Sequence, residues 1–210
     1  MDATVDARLR RILLQGGVNV GKTAVDECSL ASALPEATYV STTQRIPAQY
    51  CDKISVSSAA SGSLLGGNTT PYLWQLKFLG SYLLPYDVQV AATYQTLPGP
   101  MRTANVTFLN AVVQPSLGRP LSQTTSVLVN VIEPGAEYAD RLHQFDLRAT
   151  KILNLGRTRL RANLDVYNVL NNNAPLNFPA AFNPANPVLW QRPGVIMPAR
   201  LAKVSFQVDF

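Results

Sequence analysis

The run Gly16-Gly17-Val18-Asn19-Val20-Gly21-Lys22-Thr23 fits G-x-x-x-x-G-K-[ST], the loop that cradles phosphates in P-loop nucleotide hydrolases. There the backbone amides and Lys22 would hold β- and γ-phosphates, and Thr23 would ligate Mg²⁺. Ile12-Leu13-Leu14 offers the preceding strand, and Thr23 to Ala33 could pass for the following helix. No apolar run ending in Asp follows as a metal-holding partner, and strand–helix alternation is absent downstream. The competing reading is a β-strand whose glycines ease packing and whose Lys22 marks its end. The weight falls on the strand, with nucleotide binding through Gly16–Thr23 kept as the alternative.

Cys28 and Cys51 are the two cysteines and His143 is the one histidine, too few for a standard structural zinc site. The cysteines enclose about 23 residues of loop-like sequence, and a bridge there would stabilise by about 3 kcal/mol in the chain-entropy treatment. They are read as a candidate disulfide formed in an oxidising compartment, against a redox or metal pair. A Ser-His-Asp triad would need His143, but no nucleophile-elbow pattern accompanies it, and it stands beside Arg141 at the start of a strand pattern. The chain is therefore expected to have no catalysis and no cofactor of its own.

These residues sit on segments with a period of two, the β signature. Lys203, Ser205, Gln207 and Asp209 alternate with Val204, Phe206, Val208 and Phe210. Arg159, Arg161, Asn163, Asp165 and Tyr167 alternate with Leu160, Ala162, Leu164 and Val166. The same pattern covers Gln144–Thr150, Asp87–Gln95 and Trp74–Leu79, and more weakly Ala3–Leu9 and Leu13–Lys22. That makes about seven strands, each near the ~9–11 residues a tilted strand needs to cross a bilayer. Connections alternate short and long: Arg10-Arg11, Leu84-Pro85-Tyr86 and Asn154-Leu155-Gly156-Arg157 are tight, whereas 25–70, 98–140 and 171–197 are long. Thr124–Ile132 and Asn105–Val113 read as short strands or hairpins within the long loops, and Asn171–Met197 as irregular.

Charged residues are only 15% of the chain, against roughly 25% in a typical soluble domain. No apolar run of ~18 residues offers a transmembrane helix. The net charge of +5 is dispersed rather than striped, which argues against nucleic-acid binding. Strict alternation with turns at one end and long loops at the other is the pattern of an outer-membrane β-barrel. The expected fold is all-β: an antiparallel transmembrane barrel fragment with short periplasmic turns and long extracellular loops. Its lumen-facing candidates are Asp6, Arg8, Lys77, Asp87, Asp146, Arg148, Arg159, Arg161, Asp165, Lys203 and Asp209, and Arg148 could pair laterally with Asp165. Tyr72, Trp74, Phe78, Tyr82, Tyr94 and Phe210 are candidates for interfacial aromatic girdles.

The last strand resembles the C-terminal assembly signal of outer-membrane proteins, with Val204, Phe206, Val208 and Phe210 in phase. The resemblance implies reading of that strand by the barrel-assembly machinery, a form of β-augmentation. Arg141-Leu142-His143-Gln144-Phe145-Asp146-Leu147-Arg148, Lys151-Ile152-Leu153, Gly156-Arg157-Thr158-Arg159, Asn163-Leu164-Asp165-Val166-Tyr167-Asn168-Val169-Leu170-Asn171 and Pro198-Ala199-Arg200-Leu201-Ala202-Lys203 resemble the Oar-like TonB-dependent receptors of soil bacteria such as acidobacteria. Leu34-Pro35-Glu36-Ala37 and Gln44-Arg45-Ile46-Pro47-Ala48 resemble that family's cysteine-flanked loop, and Pro98-Gly99-Pro100 and Pro115-Ser116-Leu117-Gly118-Arg119 are further points of likeness. Such receptors are barrels of about 22 strands with a plugged lumen.

The resemblance implies that residues 1–210 are the C-terminal barrel part of a receptor in the outer membrane of a Gram-negative bacterium. The plug, the TonB box and the earlier strands are expected upstream, since Met1-Asp2-Ala3-Thr4-Val5-Asp6 has no signal-peptide character. The implied partners are outer-membrane lipid, the assembly machinery, and TonB only through those upstream parts. The implied function is uptake of a substrate across the outer membrane. A structural or adhesive outer-membrane barrel is a further alternative.

Overall fold

Seven segments with alternating side chains pair into one antiparallel sheet. A computed structural model describes residues 1–33, 44–45, 48–53, 70–122 and 124–210. The elements are β1 (Asp2–Arg8), β2 (Ile12–Gly21), α1 (Cys28–Ala33), β3 (Gln44–Arg45), β4 (Leu73–Leu84), β5 (Val88–Leu97), β6 (Asn105–Leu109), α2 (Asn110–Leu117), β7 (Ser126–Asn130), β8 (Leu142–Leu155), β9 (Thr158–Tyr167), β10 (Pro175–Asn177), α3 (Val188–Gln191), β11 (Val195–Ile196) and β12 (Leu201–Asp209). The main sheet has the order β1-β2-β4-β5-β8-β9-β12, each strand beside its predecessor in the meander. The expected all-β, antiparallel class is present. Among the described residues the sheet is open rather than closed into a barrel, with β1 and β12 at its edges. Of the stretches likened to a cysteine-flanked loop, 34–37 and 46–47 lie outside the described residues.

The tight connections are hairpin turns at one end of the sheet. At the first, Leu9 and Ile12 exchange backbone hydrogen bonds of 2.8 and 3.3 Å. The second reverses through Pro85, Tyr86 and Asp87, where Tyr86 and Asp87 both have positive φ, 65° and 55°. The third pairs Leu155 with Thr158 across Gly156-Arg157. Gly156 has φ 63° and Arg157 has not, so glycine occupies the first central position, as a type II′ turn requires. The long connections all leave from the opposite end.

Those connections build a second layer of small elements. β6 and β7 form an antiparallel pair, and β3 adds to β7 in parallel. The sequence reading of 105–113 as strand holds only to Leu109. From Asn110 the chain turns helical, and Gly118 (φ 72°) ends the helix by donating its N–H to the Gln114 carbonyl at 2.9 Å. Thr124–Ile132 contains β7, and within Asn171–Met197 the strands β10 and β11 pair. Most buried apolar side chains lie here and not on the main sheet: Ala104, Val106, Ala174, Trp190 and Met197.

Candidate functional site

Residues paired across an antiparallel ladder point to the same side, so the registers assign every side chain of the seven-stranded sheet to one of two faces. Every aspartate and arginine within these strands is on one face. It carries Asp6, Arg8, Lys77, Asp146, Arg148, Arg159, Arg161, Asp165, Lys203 and Asp209, ten of the residues singled out in the sequence. Asp87 is in the β4–β5 turn. The other face is built from Val, Leu, Ile, Ala, Gly and aromatic residues. Its polar side chains are Thr96 and His143 near the loop end, Lys151 and Thr158 towards the turn end, and the hydroxyls of Tyr82 and Tyr94.

The polar face is laterally cross-linked. Arg148 and Asp165 face each other in register and form a bidentate pair; Nε of Arg148 bonds one carboxylate oxygen and an Nη donates to the other at 3.2 Å. Asp165 is buried while the Arg148 side chain is about half exposed, and Lys203 is opposite Asp165 on its other side. Gln95 Nε2 donates to Gln144 Oε1 (2.7 Å), and Gln144 Nε2 to Asp146 Oδ2 (2.8 Å). Asp146 Oδ1 accepts the Asn168 amide N–H at 2.7 Å. Thr150, Asn163 and Ser205 continue the pattern over three strands, and Arg161 reaches Asp209 at 3.3 Å. A cleft of ≈ 200 Å³ opens between Lys77, Thr93, Gln95, Gln144 and Asp146. A surface of fixed amides with a lysine and an aspartate can hydrogen-bond a polar solute.

Among the described residues nothing covers the apolar face. Trp74 is 42% exposed, Leu164 48% and Val204 64%, although all three are in paired strands. Gly16 is on this face opposite Phe78, whose ring lies where a Cβ would stand, so the aromatic ring covers the glycine. At the loop end the face is rimmed by aromatic–cation pairs: the Arg141 guanidinium is 3.8 Å from the Trp74 ring centroid and Lys22 Nζ is 5.9 Å from that of Tyr72. His143 lies in this rim, its Nδ1 3.1 Å from the Tyr94 hydroxyl. Of the other girdle candidates, Phe78 is mid-strand, Tyr82 towards the turn end, and Phe210 just past β12.

The phosphate-loop geometry is not formed at Gly16–Thr23. Gly16 to Gly21 belong to β2, paired with β4 throughout and with β1 along Leu13–Asn19, and the next helix begins only at Cys28. Cys28, at the start of α1, is disulfide-bonded to Cys51, with Cα atoms 4.8 Å apart. The in-phase set Val204, Phe206 and Val208 is on β12, a free edge among the described residues.

Two clusters had no signal in the sequence reading. Asn168 (φ 50°) is buried; its Nδ2 donates to the Asn172 and Pro198 carbonyls (2.9 and 2.8 Å), and its Oδ1 accepts the Asn172 N–H (2.9 Å). This ties the end of β9 to the approach to β12. In the loop layer the Arg102 guanidinium lies 3.8 Å from the Trp190 ring centroid and 4.6 Å from that of Phe178, with Glu137 at 3.6 Å. Trp190 Nε1 donates to the Thr103 carbonyl at 2.7 Å. The first cluster closes one long loop on itself and the second joins two separate loops, and no periodic pattern brings either set together.

No protein-family model, no curated protein and no solved structure matches this chain.

Proposed function

We propose that the chain is part of the wall of an outer-membrane β-barrel of the TonB-dependent receptor type, with the apolar face towards lipid and the polar face towards the lumen. It would supply wall and external loops for uptake of a substrate, without catalysis of its own. The observation that carries this reading is the uncovered apolar face, continuous over seven strands. Exposed apolar patches of that extent belong to interaction or membrane surfaces.

The dimensions agree. From Phe145 to Leu155 the apolar side of β8 is interrupted only by Lys151, whose amine reaches the Tyr86 carbonyl in the turn. That stretch covers roughly 33 Å at ~3.3 Å per residue, or roughly 23–27 Å along the membrane normal at a tilt of 35–45°, matching the ~25 Å apolar band of outer-membrane barrels. The receptor family comes from the sequence resemblance, which runs along the chain and is strongest from Arg141 onward.

Environment-sensitive labels on single-cysteine variants at Leu164 and Asn163, on adjacent positions of β9 but opposite faces, test the reading after reconstitution into vesicles. The expected result is an apolar signal at Leu164 and an aqueous one at Asn163. A water-soluble chain with both positions hydrated would refute it.

A further inference from the structure

We propose that Lys22 and Arg141, held on Tyr72 and Trp74, form a site for the phosphate group of an anionic membrane lipid at the loop end of the apolar face. The proposal rests on the membrane reading given above. Trp74 is the second residue of β4 and Tyr72 stands just before the strand, two positions away. Each carries one cation over its ring, Lys22 from just past β2 and Arg141 from just before β8. The two positive charges therefore flank one aromatic pair, at the level where the apolar side chains give way to loops.

Three arginines of the polar face hold a carboxylate: Arg8 with Asp6, Arg148 with Asp165 and Arg161 with Asp209. Lys22 and Arg141 have no ion pair among the described residues. Arg141 spends Nε on the Thr96 hydroxyl (3.4 Å) and one Nη on the Trp74 carbonyl (2.6 Å). Both fix the guanidinium in place through neutral partners that do not offset its charge. Tyr72 is 74% exposed and Trp74 42%, so the site is open to the side on which lipid would lie. Aromatic rings at headgroup depth with cations above them fit a phosphodiester over an acyl chain: the rings contact the glycerol and upper chain, and the cations meet the phosphate. The remaining cation of this face, Lys151, is directed to the opposite end.

Tryptophan emission in vesicles containing brominated lipids tests this, because Trp74 is on the apolar face and Trp190 is buried in the loop layer. Brominated phosphatidylglycerol is expected to quench at a roughly 25-fold lower mole fraction than brominated phosphatidylcholine. Each cation is worth about fivefold, from ~1 kcal/mol per basic residue near an anionic surface. Lys22→Gln, at an exposed position beyond the end of β2, should remove about fivefold of that preference, Lys22→Arg should keep it, and Lys22→Gln with Arg141→Gln should abolish it. Equal quenching by the two lipids in a chain that inserts would overturn the site and leave the membrane reading standing. Failure to insert into either vesicle would overturn the membrane reading and the site with it. Inorganic phosphate that erases the preference, where sodium chloride of equal ionic strength does not, would show a free-anion site and overturn the lipid assignment.

Discussion

At the scale of single residues, buried polar side chains on the polar face carry the sharpest consequences. Asp165 is buried and Arg148 half exposed, so the two ends of the pair are not equivalent. Arg148→Ala leaves a buried carboxylate without its bidentate partner and should cost about 2 kcal/mol, below the 3–5 of a fully buried pair. Lys203→Ala, whose side chain is exposed, should cost under about 1 kcal/mol. Urea unfolding in detergent micelles reads both; equal losses would contradict the asymmetry. Asn168→Ala removes three side-chain hydrogen bonds at a residue with positive φ, and a loss of about 2–4 kcal/mol is expected in the same assay.

Burial raises the pKa of the Tyr138 phenol above its ordinary value. The folded chain then holds a proton that the unfolded chain releases. Its contribution to stability is present below the ordinary tyrosine pKa of about 10 and is lost as pH rises through the folded value. A Tyr138→Phe variant should show a shallower alkaline loss of stability above pH ~10.

At the scale of elements, turn chemistry differs among the hairpins. Gly156 suits its left-handed φ, and Gly156→Val should cost about 1–2 kcal/mol. Tyr86 and Asp87 hold the same region without glycine, and a bulky residue there carries strain. Replacing Tyr86-Asp87 with Asn-Gly should therefore stabilise the β4–β5 hairpin by about 1 kcal/mol, read as a higher urea midpoint at unchanged slope. The glycine-rich β2 shows why a motif needs its context. Its residues match the phosphate-loop pattern, but backbone amides committed to strand pairing cannot cradle an anion. The short connections and alternation were legible because turn residues and period two are local. The helix α2 was not, since 105–113 is apolar enough for either state and its end depends on the turn at Gly118.

At the scale of the molecule, seven alternating strands leave β1 and β12 running in the same direction. Closure through antiparallel pairs alone would therefore take an odd number of further strands, as in any barrel with an even total. The two faces also predict opposite responses to charge. In bilayers, Leu164→Arg should destabilise by about 2–4 kcal/mol, while Asn163→Arg on the polar face should change little. If both were tolerated alike, the faces would not differ in solvent.

The period-two pattern by itself determined which segments become the seven strands of the main sheet, where the tight turns fall, and which residues share a face, because strand geometry ties every second side chain to one side. Ten of the eleven candidates placed on one face from the sequence are there, with Asp87 displaced into a turn. Tertiary structure alone decided register, and with it that Arg148 meets Asp165, because many offsets of an alternating strand keep the polar face polar. It alone brought Lys22 to Tyr72, Arg141 to Trp74, and Arg102 to Trp190. Those contacts join residues 50 to 88 positions apart in the chain, a distance over which local pattern carries no information.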